Sequence, residues 1–453
     1  MFSRLNSKSF VVLLMAFTLS ACNKDDNPGN GHDKPANTYS SQVVVKWLEQ
    51  QLKFFKLPLA FGAAPSADRA FAYTGVALYE SVVPGMPSHQ SLAGQLDRFP
   101  LSANPLPKTT PGQAYYWPAS ANAALAEINR KLFTGAAAQT AINELENQLV
   151  SGFASEADSI MLKHSVEFGR TVADAVWAWA QEDGTAIIAT KPVYTVPADA
   201  GPGAWVLTSA GAPANAYHAF RKLIVVGSNT NAAAPPLPFS YSTDPNSEYY
   251  KMAKEVYDIS KTLTPEQRQI ALYHREGPAV NGGSYGGGSS MAGQLKAVFI
   301  AANATLDLAA EAFAKAGIGS YDGLTTTFVQ KYMFLTMRPI TYIRANIQAD
   351  WNTVYGTPLY PEYPAGHPTN GGVLSVMLAS VFGKNFAFDV DYYGENDWPG
   401  NGLTKRHYAS FDALADEMAI ARVYAGIHYK PAVYAGVALG KKVAENILAK
   451  VKF

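Results

Sequence analysis

Residues 411–431 read Phe-Asp-Ala-Leu-Ala-Asp-Glu-Met-Ala-Ile-Ala-Arg-Val-Tyr-Ala-Gly-Ile-His-Tyr-Lys-Pro. Phe411, Leu414, Ala415, Met418 and Ala425 recur at helical spacing, so one face of this stretch is apolar and buried. Arg422 falls on that same face. A guanidinium cannot shed its proton, so a buried one must find an anion. Asp412, Asp416 and Glu417 are the candidates on its own helix. In a continuous helix His428 would point ~120° away from Arg422, since six residues turn through ~600°. Gly426 offers a break that returns His428 towards Arg422, and Pro431 suits the first turn of a new helix. A cation, a break, a histidine and a restart therefore follow one another within one helix–helix corner.

The same periodicity extends along the chain. It predicts helices from about Val43, over 67–83, 120–133, 137–150 and 156–182, then over 294–316, 323–337, 370–382, 411–426 and 431–450. Pro- and Gly-rich segments near 100–118, 192–215, 231–246 and 277–293 separate them. Strand-like alternation is confined to a short candidate at 220–227. The reading is an all-α protein of two packed helical bundles, an N-terminal half over 43–276 and a C-terminal half over 277–453.

Composition excludes several classes. Of 453 residues, 36 are basic and 36 acidic, so there is no positive excess for neutralising nucleic-acid phosphates. Hydrophobic residues make up 48%, which is ample for a packed core and rules out general disorder. The single cysteine, Cys22, excludes a disulfide framework and a cysteine-based zinc site. Arg4 and Lys8 precede the apolar run Phe10 to Leu19, too short to span a membrane as a helix, so residues 1–22 read as a signal peptide. Leu19-Ser20-Ala21-Cys22 resembles the lipobox of bacterial lipoproteins, in which the cysteine is acylated. Residues 23–42 then form a flexible tether, and the expected location is the bacterial cell envelope.

Two further stretches carry chemistry. Lys331-Tyr-Met-Phe-Leu-Thr-Met-Arg338-Pro339 places two cations seven residues apart, on one helical face with Phe328 and Leu335. Tyr360-Pro-Glu-Tyr-Pro-Ala-Gly-His367-Pro puts Gly366 and His367 at a helix N-terminus, where free N–H groups favour an anion. Three cations, two histidines able to act as nucleophile and acid–base group, and a helix N-terminus together describe an oxyanion pocket.

These motifs resemble those of the superfamily that joins vanadium-dependent haloperoxidases to type 2 phosphatidic acid phosphatases. They stand here as Lys331…Arg338-Pro339, Pro364-Ala365-Gly366-His367 and Ala421-Arg422…His428, and the flanks are most similar to the haloperoxidase branch. The resemblance implies vanadate as cofactor, with Lys331, Arg338, Arg422 and the Gly366 N–H on its oxygens. It implies His428 as the ligand of vanadium and His367 as the acid–base histidine. The implied activity is oxidation of halide by hydrogen peroxide. A phosphatase acting on phosphate esters through a phosphohistidine at His428, and a catalytically weak envelope protein that binds an oxyanion, are the alternatives. Membrane attachment is expected only through the lipid anchor at Cys22.

Three alanines depart from the family pattern. Ala365 replaces the usual serine and Ala421 the serine before Arg422, while Ala432 stands where many members place an aspartate that orients the second histidine. His428 therefore needs a carbonyl or another partner to fix its tautomer. Tyr360 takes a position where His and Phe occur in bromide- and chloride-type enzymes. The Gly-rich stretch from Gly282 lacks the ending of a phosphate-binding loop, although it could edge the pocket. His32, His89, His164, His218, His274 and His407 read as surface or packing residues, with His407 the first candidate for an exception.

Overall fold

The computed structural model describes residues 34–453 apart from 63, 238, 276, 279–283, 286–288 and 392–401. Cys22, the signal-like run, most of the expected tether and most of the Gly-rich stretch lie outside the described residues.

Helices dominate. In chain order they are α1 (Gln42–Lys56), α2 (Pro58–Phe61), α3 (Ala67–Val82), α4 (Trp117–Leu132) and α5 (Ala136–Phe153). Next come α6 (Ser159–Ala180), α7 (Thr185–Ala189), α8 (Glu248–Lys261), α9 (Pro265–Tyr273) and α10 (Ser289–Ala301). The last are α11 (Leu306–Phe334), α12 (Pro339–Asn346), α13 (Gly366–Phe382), α14 (Phe411–Tyr424) and α15 (Lys430–Lys450). Two short antiparallel pairs accompany them, β1 (Gly277–Pro278) with β2 (Ser284–Tyr285) and β3 (Phe388–Val390) with β4 (Arg406–Tyr408). The fold is all-α, as the periodicity predicts. No helix among the described residues is long and apolar enough to cross a membrane.

Local chemistry sets several helix starts. Asp158 caps α6 by accepting from the Ile160 and Met161 N–H groups. Thr264 and Gln267 close a capping box on α9, with Pro265 in its first turn. Ser410 caps α14 through the Ala413 N–H.

Some boundaries differ from the expectation. The run 294–316 is cut after Ala301, because Asn303 adopts φ 44°, a left-handed conformation that asparagine tolerates better than most residues. Leu306 then begins a helix of 29 residues that continues through the expected gap around 317–322. The apolar and small residues of that gap are buried, with α3 lying along them. The stretch 220–227 forms no strand. A 3-10 turn at His218–Phe220 leads into it, and the Ile224 and Val225 N–H groups donate to the buried Asp322 carboxylate at 2.7 and 3.0 Å.

α11, α13, α14 and α15 pack around the three motifs. α15 approaches α13 at backbone distance: a Cβ on Gly436 would stand 2.3 Å from the Ala365 carbonyl oxygen, and one on Gly440 2.0 Å from that of Thr369. This approach is possible only with glycine at both positions. It seats the start of α13 against α15, and so brings the second motif beside the third.

Candidate active site

Lys331 lies in the last turn of α11, which ends at Leu335 with φ 48°. Arg338 is not on that helix. Its backbone is extended and caps α12, with Pro339 in the first turn. The expected shared helical face is therefore corrected: the helix stops about one turn early, and the turn itself brings Arg338 back beside Lys331. Both cations then hold one loop. Lys331 Nζ donates to the carbonyls of Pro361 and Glu362 at 3.0 and 2.8 Å. Arg338 donates to the carbonyls of Tyr360 (3.0 Å), Ile427 (2.8 Å) and Pro361 (3.4 Å). The Tyr360 ring lies 5.1 Å from each cation.

Gly366 is the first residue of α13, with Ala365 as its N-cap, so the first-turn N–H groups have no partner within the helix. His367 follows, buried, with its ring centroid 6.0 Å from that of His274.

The third motif folds as its spacing predicts. α14 ends at Tyr424, Gly426 adopts φ 77°, and α15 begins at Lys430 with Pro431 in its first turn. The break returns His428 to the site, where its Nε2 is 3.1 Å from an Arg338 guanidinium nitrogen. Arg422 stays on the buried face. It donates to the His274 carbonyl and to the Tyr355 hydroxyl, both at 2.8 Å. Two acidic candidates of its own helix are engaged elsewhere, Asp412 with Lys441 and Glu417 with Arg406 and His274.

Two residues escaped the sequence reading. Glu362 is fully buried, and its Oε1 lies 2.8 Å from His428 Nδ1 and accepts the Tyr429 N–H at 3.0 Å. The missing carboxylate at Ala432 signalled that some substitute was needed, but not which. His274, read as packing, is buried between His367 and a charged group of Glu417, Arg406 and Tyr408. His407, the favoured exception, is exposed and binds Asp389 at 2.8 Å. It is no part of the pocket.

The electrostatics are those of a cation trap. Burial holds Lys331 well below its usual range, and Arg338 and Arg422 add repulsion. Burial also pushes Arg338 down to about 10. His428 is held well below the usual histidine range by burial, then by repulsion from Arg338, Lys331, Arg422 and His367. Lys331, Arg338, Arg422 and His367 thus all lie within electrostatic reach of His428. Glu362 is the carboxylate inside this group, and burial pushes it up to about 7 against the pull of Lys331 and Arg338. Lys331 and Arg422 rest on neutral oxygens, and the Arg422 Nε is buried without a partner. An oxyanion would relieve the repulsion and supply the missing acceptor. Among the described residues no group of three or more His, Cys, Asp or Glu is arranged to hold a metal ion. The donor set fits an anion carrying its own oxygens.

Known proteins resemble this chain in sequence and fold. The family described as VCPO second helical-bundle domain matches residues 311–453, which contain all three motifs. A bacterial vanadium-dependent iodoperoxidase superposes with a TM-score of 0.79 at 29% identity, over 93% of this chain and 98% of that one. The chain belongs to the vanadium haloperoxidase-like superfamily. Over 100 residues this haloperoxidase-like chain is 32% identical to a vanadium-dependent bromoperoxidase of Corallina officinalis. That match covers 20% of this chain and spans only 16% of the relative. A bacterial vanadium-dependent chloroperoxidase shares the fold, with a TM-score of 0.62 at 15% identity over 90% of this chain.

Against the superfamily pattern the three alanines are structural facts. Ala365, Ala421 and Ala432 are all fully buried, and the Ala365 N–H donates to the Ala432 carbonyl at 3.0 Å. Helix α15 therefore braces the start of α13 through its backbone.

Proposed function

We propose that this chain is a vanadium-dependent haloperoxidase, which binds vanadate in the Lys331–Arg338–Arg422 pocket and oxidises halide with hydrogen peroxide. This reading is carried by the surplus of buried positive charge at the N-terminus of α13, with the His428 Nε2 lone pair facing the same pocket. Lys331, Arg338, Arg422 and the Gly366 N–H would hold the vanadate oxygens, and His428 would bind vanadium. Bound vanadate supplies a Lewis-acidic centre at which peroxide becomes an oxidant of halide. The chain contributes the rest. Its cations would offset the charge, the carbonyls of residues 360–362 fix Lys331 and Arg338 in place, the His274 carbonyl and the Tyr355 hydroxyl fix Arg422, and His367 would take or return a proton of peroxide.

The test is to add vanadate to vanadate-free protein and follow bromide and iodide oxidation by peroxide, with phosphate-ester hydrolysis as the control. Halide oxidation that requires vanadate is expected. Ester hydrolysis without any vanadate-dependent peroxidase would overturn the assignment.

We further propose that Cys22 carries the lipid anchor and holds the enzyme in a bacterial envelope. The lipobox-like Leu19-Ser20-Ala21-Cys22 and the polar stretch after it support this. Cys22→Ala should move the protein from the membrane to the soluble fraction; continued membrane association would contradict the anchor.

A further inference from the structure

We propose that Glu362 is a positioning residue, a carboxylate supplied by the 360–364 loop that does for His428 what Ala432 cannot. The proposal takes from the haloperoxidase reading only the identity of the anion that His428 meets.

The hydrogen bonds determine the tautomer from both sides. A guanidinium has donors and no acceptor. Arg338 stands 3.1 Å from His428 Nε2, so Nε2 must present its lone pair. The ring proton then lies on Nδ1, which faces Glu362 Oε1 at 2.8 Å. That same oxygen accepts the Tyr429 N–H at 3.0 Å, so it acts as an acceptor towards two consecutive residues. The contact is shielded from water, because His428 is 2% exposed and Glu362 is fully buried.

Glu362 reaches the site from a loop, whereas Ala432 lies on α15. It is part of Tyr360-Pro-Glu-Tyr-Pro, the segment whose carbonyls hold Lys331 and Arg338. The Glu362 carbonyl accepts from Lys331 while its carboxylate accepts from His428. One residue thus ties an oxygen-binding cation to the histidine opposite. A carboxylate accepting from the far side of the imidazole also strengthens the Nε2 lone pair, the role that carboxylates fill behind metal-bound histidines.

The test uses the full chain, purified free of vanadate and labelled with 15N-histidine, with His428→Gln to assign the resonance. The wild-type spectrum should show the His428 proton on Nδ1. Glu362→Gln keeps the shape but removes the charge, and should bind orthovanadate ~10–100-fold more weakly by titration calorimetry, with an unchanged thermal midpoint. A proton on Nε2 in the wild-type protein, or a Glu362→Gln affinity within twofold of wild type, would overturn the proposal. If Glu362→Gln fails to fold, the wild-type tautomer decides alone. Wild-type protein that binds no vanadate would end the haloperoxidase reading, and the tautomer would still decide the role of Glu362.

Discussion

Gly436→Ala is a small change with a calculable consequence. The added methyl would stand 2.3 Å from the Ala365 carbonyl oxygen and 3.2 Å from the Pro368 Cβ. Close C···O contacts settle at roughly 3.3 Å, so α15 and the start of α13 must separate by about 1 Å. The obstacle is backbone and cannot rotate away. Overpacking of this kind costs ~1–3 kcal/mol, towards the upper end here, while the better helix propensity of alanine returns ~1 kcal/mol. A net loss of ~1–2 kcal/mol should lower the melting midpoint by roughly 1–2 °C in a domain of this size. The displaced residues are Ala365 and Gly366, so the oxyanion site should suffer more than the fold. Displacements of ~1 Å at a site cost about 10²-fold in rate. Thermal unfolding and vanadate titration of the same variant measure the two effects separately. A midpoint equal to or above wild type, together with unaltered vanadate affinity, would refute the backbone-distance packing of α13 against α15.

Other substitutions address the pocket and its supports. Ala365→Ser restores a hydroxyl at the N-cap of α13, and a hydrogen bond to a charged oxyanion worth ~1.5–3 kcal/mol should tighten vanadate binding at least tenfold by titration. Glu417 is pushed up by burial, but His274, Arg406 and Tyr408 overcome this and hold it at about 2, below its ordinary 4.5. Its folded-state value lies below the unfolded one. Its contribution, at most ~3 kcal/mol, is therefore complete above the ordinary value and lost as pH falls towards about 2. Glu417→Gln should flatten this acid limb in urea titrations from pH 5 to 2, and an unchanged slope would contradict the network. Asp68 and Arg221 form a buried pair at 2.6 Å, so Asp68→Asn should destabilise by ~3–5 kcal/mol in denaturant unfolding, with a loss under 1 kcal/mol refuting its importance.

The sequence made the site's side chains legible because each carries its own local signal. A cation on an apolar stripe, as at Lys331 and Arg422, is visible in a window of a few turns. So is the Gly426 break that returns His428, and so is a histidine after a Pro-Ala-Gly helix start. Glu362 was not legible, since nothing local distinguishes a loop glutamate from a solvated one. Its partner His428 lies 66 residues away. His274 was missed for the same reason, its partner Glu417 being 143 residues distant. The fold class followed from periodicity, but helix junctions did not. Asn303 ends α10 through a left-handed backbone rather than through glycine or proline, and Leu335 ends α11 in the same way. The strand expected at 220–227 failed because the partner of its N–H groups is a side chain, the Asp322 carboxylate, and not another strand.

The proposed haloperoxidase activity requires Lys331, Arg338, Arg422 and His428 to form one oxyanion pocket. Orthovanadate titration of wild type and His428→Ala, followed by iodide and bromide oxidation with peroxide on the same samples, tests it most directly. Wild type should show saturable one-site vanadate binding and vanadate-dependent halide oxidation, both lost in His428→Ala. Equal vanadate binding by the two proteins, or halide oxidation that survives in His428→Ala, would contradict it.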